Sequence, residues 1–347
     1  MKRSQWKWLF VSLGFSTVVL ALVLYFTFDE STIDYLKQLN PWCLLLALLA
    51  HVVALGFWAG RMKSMSRSLG YSVGFFHCLN AVFANLLIAA ITPSQAGGEP
   101  VRIHELYRAE VRLGDATAVV IMERILDGVV LVAISLVSML LLGQQWQSMA
   151  PGLAAFIYLS WGLIAVLVFF FAYSVKNPQM LKDLLRRISV WLERRKRRRN
   201  AEKLNALLER IDNEVDNFHD SLGRFVNHGK AGLVWGTLFT AIFWTIEFLI
   251  PSVILVGLGE KPYFVESFIA QIIIALLMMI PLTPGGSGVA EVSATSIYGM
   301  FVNSSILGVF VLLWRMIFYY FNIFLGFAAS IGILQREVKR DRRCRNH

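Results

Sequence analysis

Apolar residues along this 347-residue chain fall into long runs separated by short polar stretches. A helix needs about 20 predominantly apolar residues to cross a bilayer. Several runs of about this length contain no charged residue, whereas others carry a few charges within them. The runs cover 8–28, 42–60, 73–91, 116–142, 152–174, 231–256, 264–282 and 306–334. The pattern predicts an all-α, polytopic membrane protein.

Two of these runs are interrupted in the same way, 191 positions apart. Each breaks at a Thr-Pro pair, passes through a glycine-rich turn, and precedes a membrane-length run that contains an arginine. The corresponding residues are Thr92 and Thr283, Gly97 and Gly288, and Arg124 and Arg315. A duplicated, interrupted apolar segment is typical of the transport site in a repeat-built membrane protein.

Composition and charge narrow the class further. The chain is 56% hydrophobic and 16% charged, which excludes an ordinary soluble globule. Much of the net charge of +10 lies in 182–203 and in the tail 335–347. Beside apolar spans, such clusters indicate cytoplasmic segments facing anionic lipid, which we favour over the alternative of nucleic-acid binding. The three cysteines form no disulfide framework or metal-site spacing, so we expect no metal and no cofactor.

Lysine and arginine are enriched in cytoplasmic loops, and this rule sets the topology. If 73–91 crossed fully, the basic loop 175–229 would lie outside, against the rule. If 73–91 instead enters from the cytoplasm and returns, every basic loop lies inside, including the loop that begins at Arg61. We therefore predict six full spans and two re-entrant helical hairpins arranged as an inverted repeat. Both termini would be cytoplasmic, in the cell membrane.

These predictions define the units of the chain. They are a first repeat 42–142 with hairpin 73–108, a cytoplasmic amphipathic helical insert 176–229, a second, inverted repeat 231–334 with hairpin 264–302, and a basic tail 335–347. Within the insert, apolar residues of 204–225 follow a heptad spacing. This spacing fits a short coiled coil that joins protomers in a homo-oligomer, or a helix packed on the membrane domain.

Charged residues inside the apolar runs are the candidate chemistry. A charge at the centre of a membrane helix costs roughly 2.5–3.5 kcal/mol, so these side chains should pair or line water. We predict one polar cavity near the midplane, where two helix N-termini suit an anion such as a lipid phosphate. The alternative is that the charges only form internal ion pairs that lock the hairpins. The candidate substrate-binding or translocation residues are Gly97, Gly98, Glu99, Arg102, Glu123, Arg124, Asp127, Glu247, Gly285, Gly286, Gly288, Glu291 and Arg315.

Motifs for nucleotide-driven transport and for hydrolysis are missing from the sequence. It contains no G-x-x-x-x-G-K-[ST] and no H-E-x-x-H. We therefore assign no catalytic residue, and an Asp/Glu set that relays protons would suit a proton-coupled carrier.

Three motifs together resemble a known family. They are 93–102 (PSQAGGEPVR), 123–127 (ERILD) and 284–291 (PGGSGVAE). In combination they resemble the flippase-like lysylphosphatidylglycerol synthase transmembrane region, over about residues 8–335. Gln95 departs from the pattern, because a basic residue is expected there. The sequence therefore gives no support to a phosphate-binding role for position 95.

The resemblance implies that the chain handles membrane lipid. In larger relatives this domain translocates an aminoacylated phospholipid that a separate cytosolic domain makes. The insert 176–229 is too short for such a domain, so another protein, a synthase or glycosyltransferase, would supply the substrate. The leading hypothesis is a flippase for an anionic or zwitterionic phospho- or polyprenyl-linked envelope lipid. The alternative is a membrane enzyme or accessory protein of lipid-linked sugar synthesis.

Overall fold

The computed structural model of the chain describes most of the two predicted repeats. The described residues are 3–27, 30–92, 97–144, 158–166, 201–227, 230–278, 283 and 285–345, with isolated positions at 169, 173, 179 and 187. Residues 93–96, which include Gln95, and Pro284 of the second motif lie outside them, as does most of the apolar run 152–174.

Within these ranges every regular element is a helix. The helices are α1 (Arg3–Thr27), α2 (Glu30–Lys37), α3 (Pro41–Ser68), α4 (Phe75–Ala90), α5 (Gly98–Arg108), α6 (Leu113–Leu141), α7 (Ala201–Asn227), α8 (Lys230–Gly257), α9 (Phe264–Met278), α10 (Val289–Tyr298), α11 (Ser304–Arg315) and α12 (Phe321–Arg345). A π-helix, Met316–Tyr320, joins α11 to α12. Residues 158–166 are also helical.

In the part of the chain that the structure describes, four helical stretches are long and apolar enough to cross a membrane. They are Pro41–Ser68, Leu113–Leu141, Lys230–Gly257 and the continuous Ser304–Ile333. The shorter apolar helices are Ser16–Thr27, Phe75–Ala90 and Phe264–Met278. The prediction of an all-α membrane architecture is confirmed, whereas the count of six spans and two re-entrant hairpins stays a prediction.

Helices α3 and α8 pack closely along each other. The Asn40 side chain accepts a hydrogen bond from the Trp42 backbone N–H at 3.0 Å, and Pro41 fixes the first turn of α3. Small residues allow the close approach: a Cβ on Gly232 would lie 2.5 Å from the Ser68 Cβ. Helix α3 continues to Ser68, so Arg61 lies within the helix. Its side chain is buried, and the residue is 2% exposed. The prediction that Arg61 begins a cytoplasmic loop is wrong.

Two pairs of short helices flank the Thr-Pro breaks, with one helix before each break and one after it. Helices α4 and α5 have 16 and 11 residues and pack against each other, as do α9 and α10 with 15 and 10 residues. At about 1.5 Å per residue, none of these helices reaches the roughly 30 Å of a hydrocarbon core. Each pair is thus too short to span as a single helix, and a re-entrant hairpin at each break stays a prediction.

Helix α7, the described part of the insert, packs on the end of α6. Its apolar residues Val215, Leu222 and Phe225 are buried within the chain. The Gly114 backbone N–H donates to the Glu214 carboxylate at 2.8 Å, next to Asp115, which accepts from Arg112 and Arg224. Asp115 and Tyr71, both hydrogen-bonded to Arg112, raise the pKa of that guanidinium. These contacts support a helix packed on the membrane domain, and a homo-oligomer through 204–225 stays a prediction.

Candidate functional site

The two glycine turns meet inside the protein. The Gly285 backbone N–H donates to the Thr92 carbonyl oxygen at 3.1 Å, so the break after α4 is joined to the break after α9. Gly285 has φ +58°, and a Cβ there would lie 2.4 Å from the Ala90 carbonyl oxygen. Gly286 and Gly288 also have positive φ. Because glycine has no Cβ, it adopts a positive φ and allows another backbone to come this close at little steric cost.

Gly97 and Gly98 permit a close approach at the first turn, without a positive φ. The Gly97 backbone N–H donates to the Thr92 hydroxyl at 3.0 Å. A Cβ on Gly98 would overlap the Asn85 side chain. These glycines let α5 begin directly against α4. The first turn of α5 carries Glu99.

A cluster of four buried charges lies behind that turn. Arg61 donates to Glu123 at 3.1 Å and to Asp127 at 2.6 Å, and Arg102 donates to the other oxygen of Glu123. Arg102 also lies over the Trp58 ring, 5.2 Å from its centroid. Arg102 and Glu123 are fully buried and Arg61 nearly so. The cluster is internally paired, as buried charges must be to avoid a large desolvation cost.

Arg124 projects from α6 toward open space, in contrast to its neighbour Glu123. Its side chain is 41% exposed and binds Glu99 of α5 at 2.7 Å, with Asp127 at 3.6 Å. The second oxygen of Glu99, Oε2, has no hydrogen-bond partner among the described residues. Because that oxygen is buried, a ligand can reach this ion pair from the exposed side of Arg124.

The second turn has its own ion pair. Glu291, in the first turn of α10, accepts the Gly288 backbone N–H at 2.7 Å and the Ser16 hydroxyl at 2.6 Å. The Arg315 Nε lies 2.9 Å from the same carboxylate, and its guanidinium covers the Tyr319 ring at 4.2 Å. Both side chains of the pair are almost fully buried. The π-helix begins directly after Arg315, and such irregularities are frequent at functional sites.

A third set of polar side chains links helices α3, α8 and α12. The His51 Nδ1 lies 2.8 Å from Glu247, and the His51 Nε2 lies 2.8 Å from the Asn322 side-chain oxygen. His51 is 2% exposed and Glu247 is 8% exposed at the side chain. A histidine and a carboxylate from different helices therefore meet inside the protein.

These groups surround one cavity of about 630 Å³, within the range of small-molecule sites. Its wall is largely apolar, with residues of α3, α6, α8, α9 and α11. The polar wall residues include Glu99, Arg124, Asp127, Glu247, Arg315, His51 and Asn322. Five of the predicted candidates thus line one cavity. The remaining candidates, Gly97, Gly98, Arg102, Glu123, Gly285, Gly286, Gly288 and Glu291, build its supporting turns and ion pairs.

Three residues of the site are not predicted from the sequence. Arg61 follows an apolar run directly and looks like the first residue of a basic loop. His51 and Asn322 each lie within an apolar run, flanked by apolar residues and outside any motif. A polar residue inside a predicted span is itself the signal for an internal partner. No group of His, Cys, Asp and Glu suited to a metal occurs in the described part of the chain.

Known proteins resemble the chain over nearly its whole length. A profile of the family described as Lysylphosphatidylglycerol synthase TM region matches residues 9–326. A UPF0104 membrane protein of Archaeoglobus fulgidus is 35% identical over 311 residues, 90% of this chain and 92% of that protein. UPF0104 membrane proteins of Pyrococcus horikoshii and Methanocaldococcus jannaschii are each 24% identical, over 84% and 93% of this chain and 86% and 93% of the relatives.

Proposed function

Because the chain belongs to the family of the lysylphosphatidylglycerol synthase transmembrane region, we propose that this multi-pass membrane protein is a flippase-like lipid carrier. The substrate is an anionic or zwitterionic phospho- or polyprenyl-linked envelope lipid, whose headgroup passes through the central cavity. One observation carries the proposal: a largely apolar cavity of about 630 Å³ contains an accessible arginine, Arg124. Another protein, a synthase or glycosyltransferase, makes the lipid.

The exchange of partners at Arg124 explains how a headgroup would bind. A guanidinium binds phosphate with two parallel hydrogen bonds, as it binds a carboxylate. A phosphate that enters the cavity can take the place of Glu99 on Arg124. The apolar remainder of the wall accommodates the part of the lipid that follows the headgroup.

The inverted repeat supplies the access in this proposal. In it the hairpin α4–α5 enters from the cytoplasmic side, the hairpin α9–α10 enters from the other side, and both termini are cytoplasmic. The contact of Gly285 with Thr92 supports it, because hairpins that enter from opposite faces would bring their turns together at the midplane. Rocking of one repeat against the other would then expose the cavity to each face in turn.

The test is translocation of fluorescent phosphatidylglycerol in reconstituted vesicles, followed by bleaching of the outer leaflet. We expect Arg124→Ala to reduce the rate about tenfold or more, since a hydrogen bond to a charged group contributes roughly 1.5–3 kcal/mol. Arg124→Lys keeps the charge without the paired hydrogen bonds. Its translocation rate should lie between those of the wild type and Arg124→Ala.

The matched control is Arg112→Ala. Arg112 is 53% exposed and is also paired with a carboxylate, Asp115, but lies outside the cavity. It should translocate lipid at the wild-type rate. An unchanged rate in Arg124→Ala would contradict the site. Conversion of a lipid-linked sugar by the purified protein in detergent would instead indicate a membrane enzyme.

A further inference from the structure

Both ring nitrogens of His51 face hydrogen-bond acceptors. Nδ1 lies 2.8 Å from a Glu247 oxygen and Nε2 lies 2.8 Å from the Asn322 oxygen. The Asn322 amide nitrogen donates to the Phe318 carbonyl at 2.7 Å, so its oxygen must face the ring. A neutral imidazole has one donor nitrogen and one acceptor nitrogen. One further proton, on the ring or on the carboxyl group, is needed to satisfy both contacts.

The balance of buried charge indicates the same proton. The carboxylates of the site are Glu99, Glu123, Asp127, Glu247 and Glu291, and the guanidiniums are Arg61, Arg102, Arg124 and Arg315. Five negative groups thus face four positive ones. Among the described residues, Glu247 is the one carboxylate of this set without a guanidinium partner, and its partner is His51. One added proton on this pair makes the site neutral.

Among the described residues around His51, no other group competes for that proton. Glu247 faces it from α8, Asn322 from α12 and the Phe318 ring from the π-helix, with ring centroids 5.1 Å apart. Helix α4 contributes no charged residue to the cavity wall. The other charged wall residues are Glu99 on α5, Arg124 and Asp127 on α6, and Arg315 on α11. Each of these is already in an ion pair.

We propose that His51 and Glu247 form a proton-binding site that couples lipid movement to proton movement. The pair takes one proton from water when the cavity opens to one face and holds it between the ring and the carboxylate. Opening to the other face hydrates Glu247, and the proton leaves to water on that side. The only bond that forms and breaks is an N–H or O–H bond. The coupling rests on the proposed carrier function, whereas the proton site itself does not.

Infrared difference spectroscopy of the full chain in nanodiscs, between about pH 5 and about pH 8, tests proton binding directly. We expect a protonation band that is lost in both His51→Gln and Glu247→Gln. The matched control is His77→Gln, because His77 lies 3.8 Å from Glu105 in a second histidine–carboxylate pair outside the cavity. A difference spectrum that neither substitution changes would overturn the proton site.

Asn322→Leu provides a second variant, since it removes one acceptor without changing any charge. It should shift the same band, and an unshifted band would show that Nε2 does not participate as proposed. Thermal midpoints in detergent confirm that each variant is folded. If Glu247→Gln does not fold, the pair is tested with His51→Gln and Asn322→Leu.

Translocation in vesicles with a proton gradient tests the coupling. The wild-type rate should change several-fold when the gradient is reversed, and His77→Gln should behave in the same way. His51→Gln should lose this dependence, whereas Arg124→Ala should be about tenfold or more slower than the wild type under both gradients. A gradient-independent wild-type rate would overturn the coupling. If the pair titrates but the wild type moves no lipid, the carrier function is wrong and the proton site stands.

Discussion

Arg124 and Arg315 occupy equivalent places in the repeated sequence pattern but different environments in the structure. Arg315 is 4% exposed at the side chain and pairs with the fully buried Glu291. Arg124 is 41% exposed and faces the cavity with Glu99. In the first half, Arg61 and Arg102 neutralise the buried carboxylates, and this leaves Arg124 accessible. In the second half Arg315 holds its turn alone. The comparison makes Arg315 the candidate for holding a turn and Arg124 the candidate for binding a ligand.

The largest loss of stability should follow Arg61→Ala. This substitution leaves Glu123 and Asp127 without their shared guanidinium in a buried site, and breaking a buried ion pair costs roughly 3–5 kcal/mol. We expect a lower thermal midpoint in detergent and reduced abundance in the membrane. Arg67→Ala, an exposed position on the same helix, is the control and should change stability by about 0.5 kcal/mol or less. Equal midpoints for the two variants would show that Arg61 does not lock the first half.

Arg315→Ala should destabilise the protein somewhat less, by roughly 3 kcal/mol, the lower end for a broken buried pair. Glu291 would still accept hydrogen bonds from Ser16 and the Gly288 backbone, which offset part of the loss. Thermal unfolding monitored by circular dichroism measures the change. A midpoint equal to that of the wild type would remove the distinction between Arg315 and Arg124.

Gly285→Ala tests the contact that joins the two halves. An added Cβ would lie 2.4 Å from the Ala90 carbonyl oxygen, and φ is +58°, so we expect a cost of roughly 1–3 kcal/mol. The control is Gly14→Ala, at an exposed helical position with no atom within 4 Å of the new Cβ, which should be neutral or stabilising. Equal stability of the two variants would show that the turn contact can adjust.

The sequence predicts the helical class well, because a membrane-length apolar run can satisfy its backbone hydrogen bonds in lipid by few structures other than a helix. It also places Arg124, Glu247 and Arg315 in one cavity, since charges inside apolar runs must find partners there. It does not separate Arg124 from Arg315, because their exposure depends on which other helices supply arginines. Arg61 shows the reason: its position after an apolar run resembles a loop, and only the packing of α3 against α6 and α8 makes it a buried partner. His51 likewise acquires its role from residues 196 and 271 positions away.

Among these substitutions, Arg124→Ala should cause the smallest loss of stability, although we expect it to have the largest effect on transport. Arg124 is partly exposed, and such ion pairs contribute about 0–1 kcal/mol, so Arg124→Ala should unfold within a few degrees of the wild type. The same variant should retain less anionic lipid in native mass spectrometry of the purified protein, because no other accessible guanidinium lines the described cavity wall. Arg315→Lys, which keeps the buried charge, should retain lipid like the wild type. Stable, lipid-free Arg124→Ala beside lipid-bound Arg315→Lys would assign binding to the first half. The reverse pattern would assign binding to the second half.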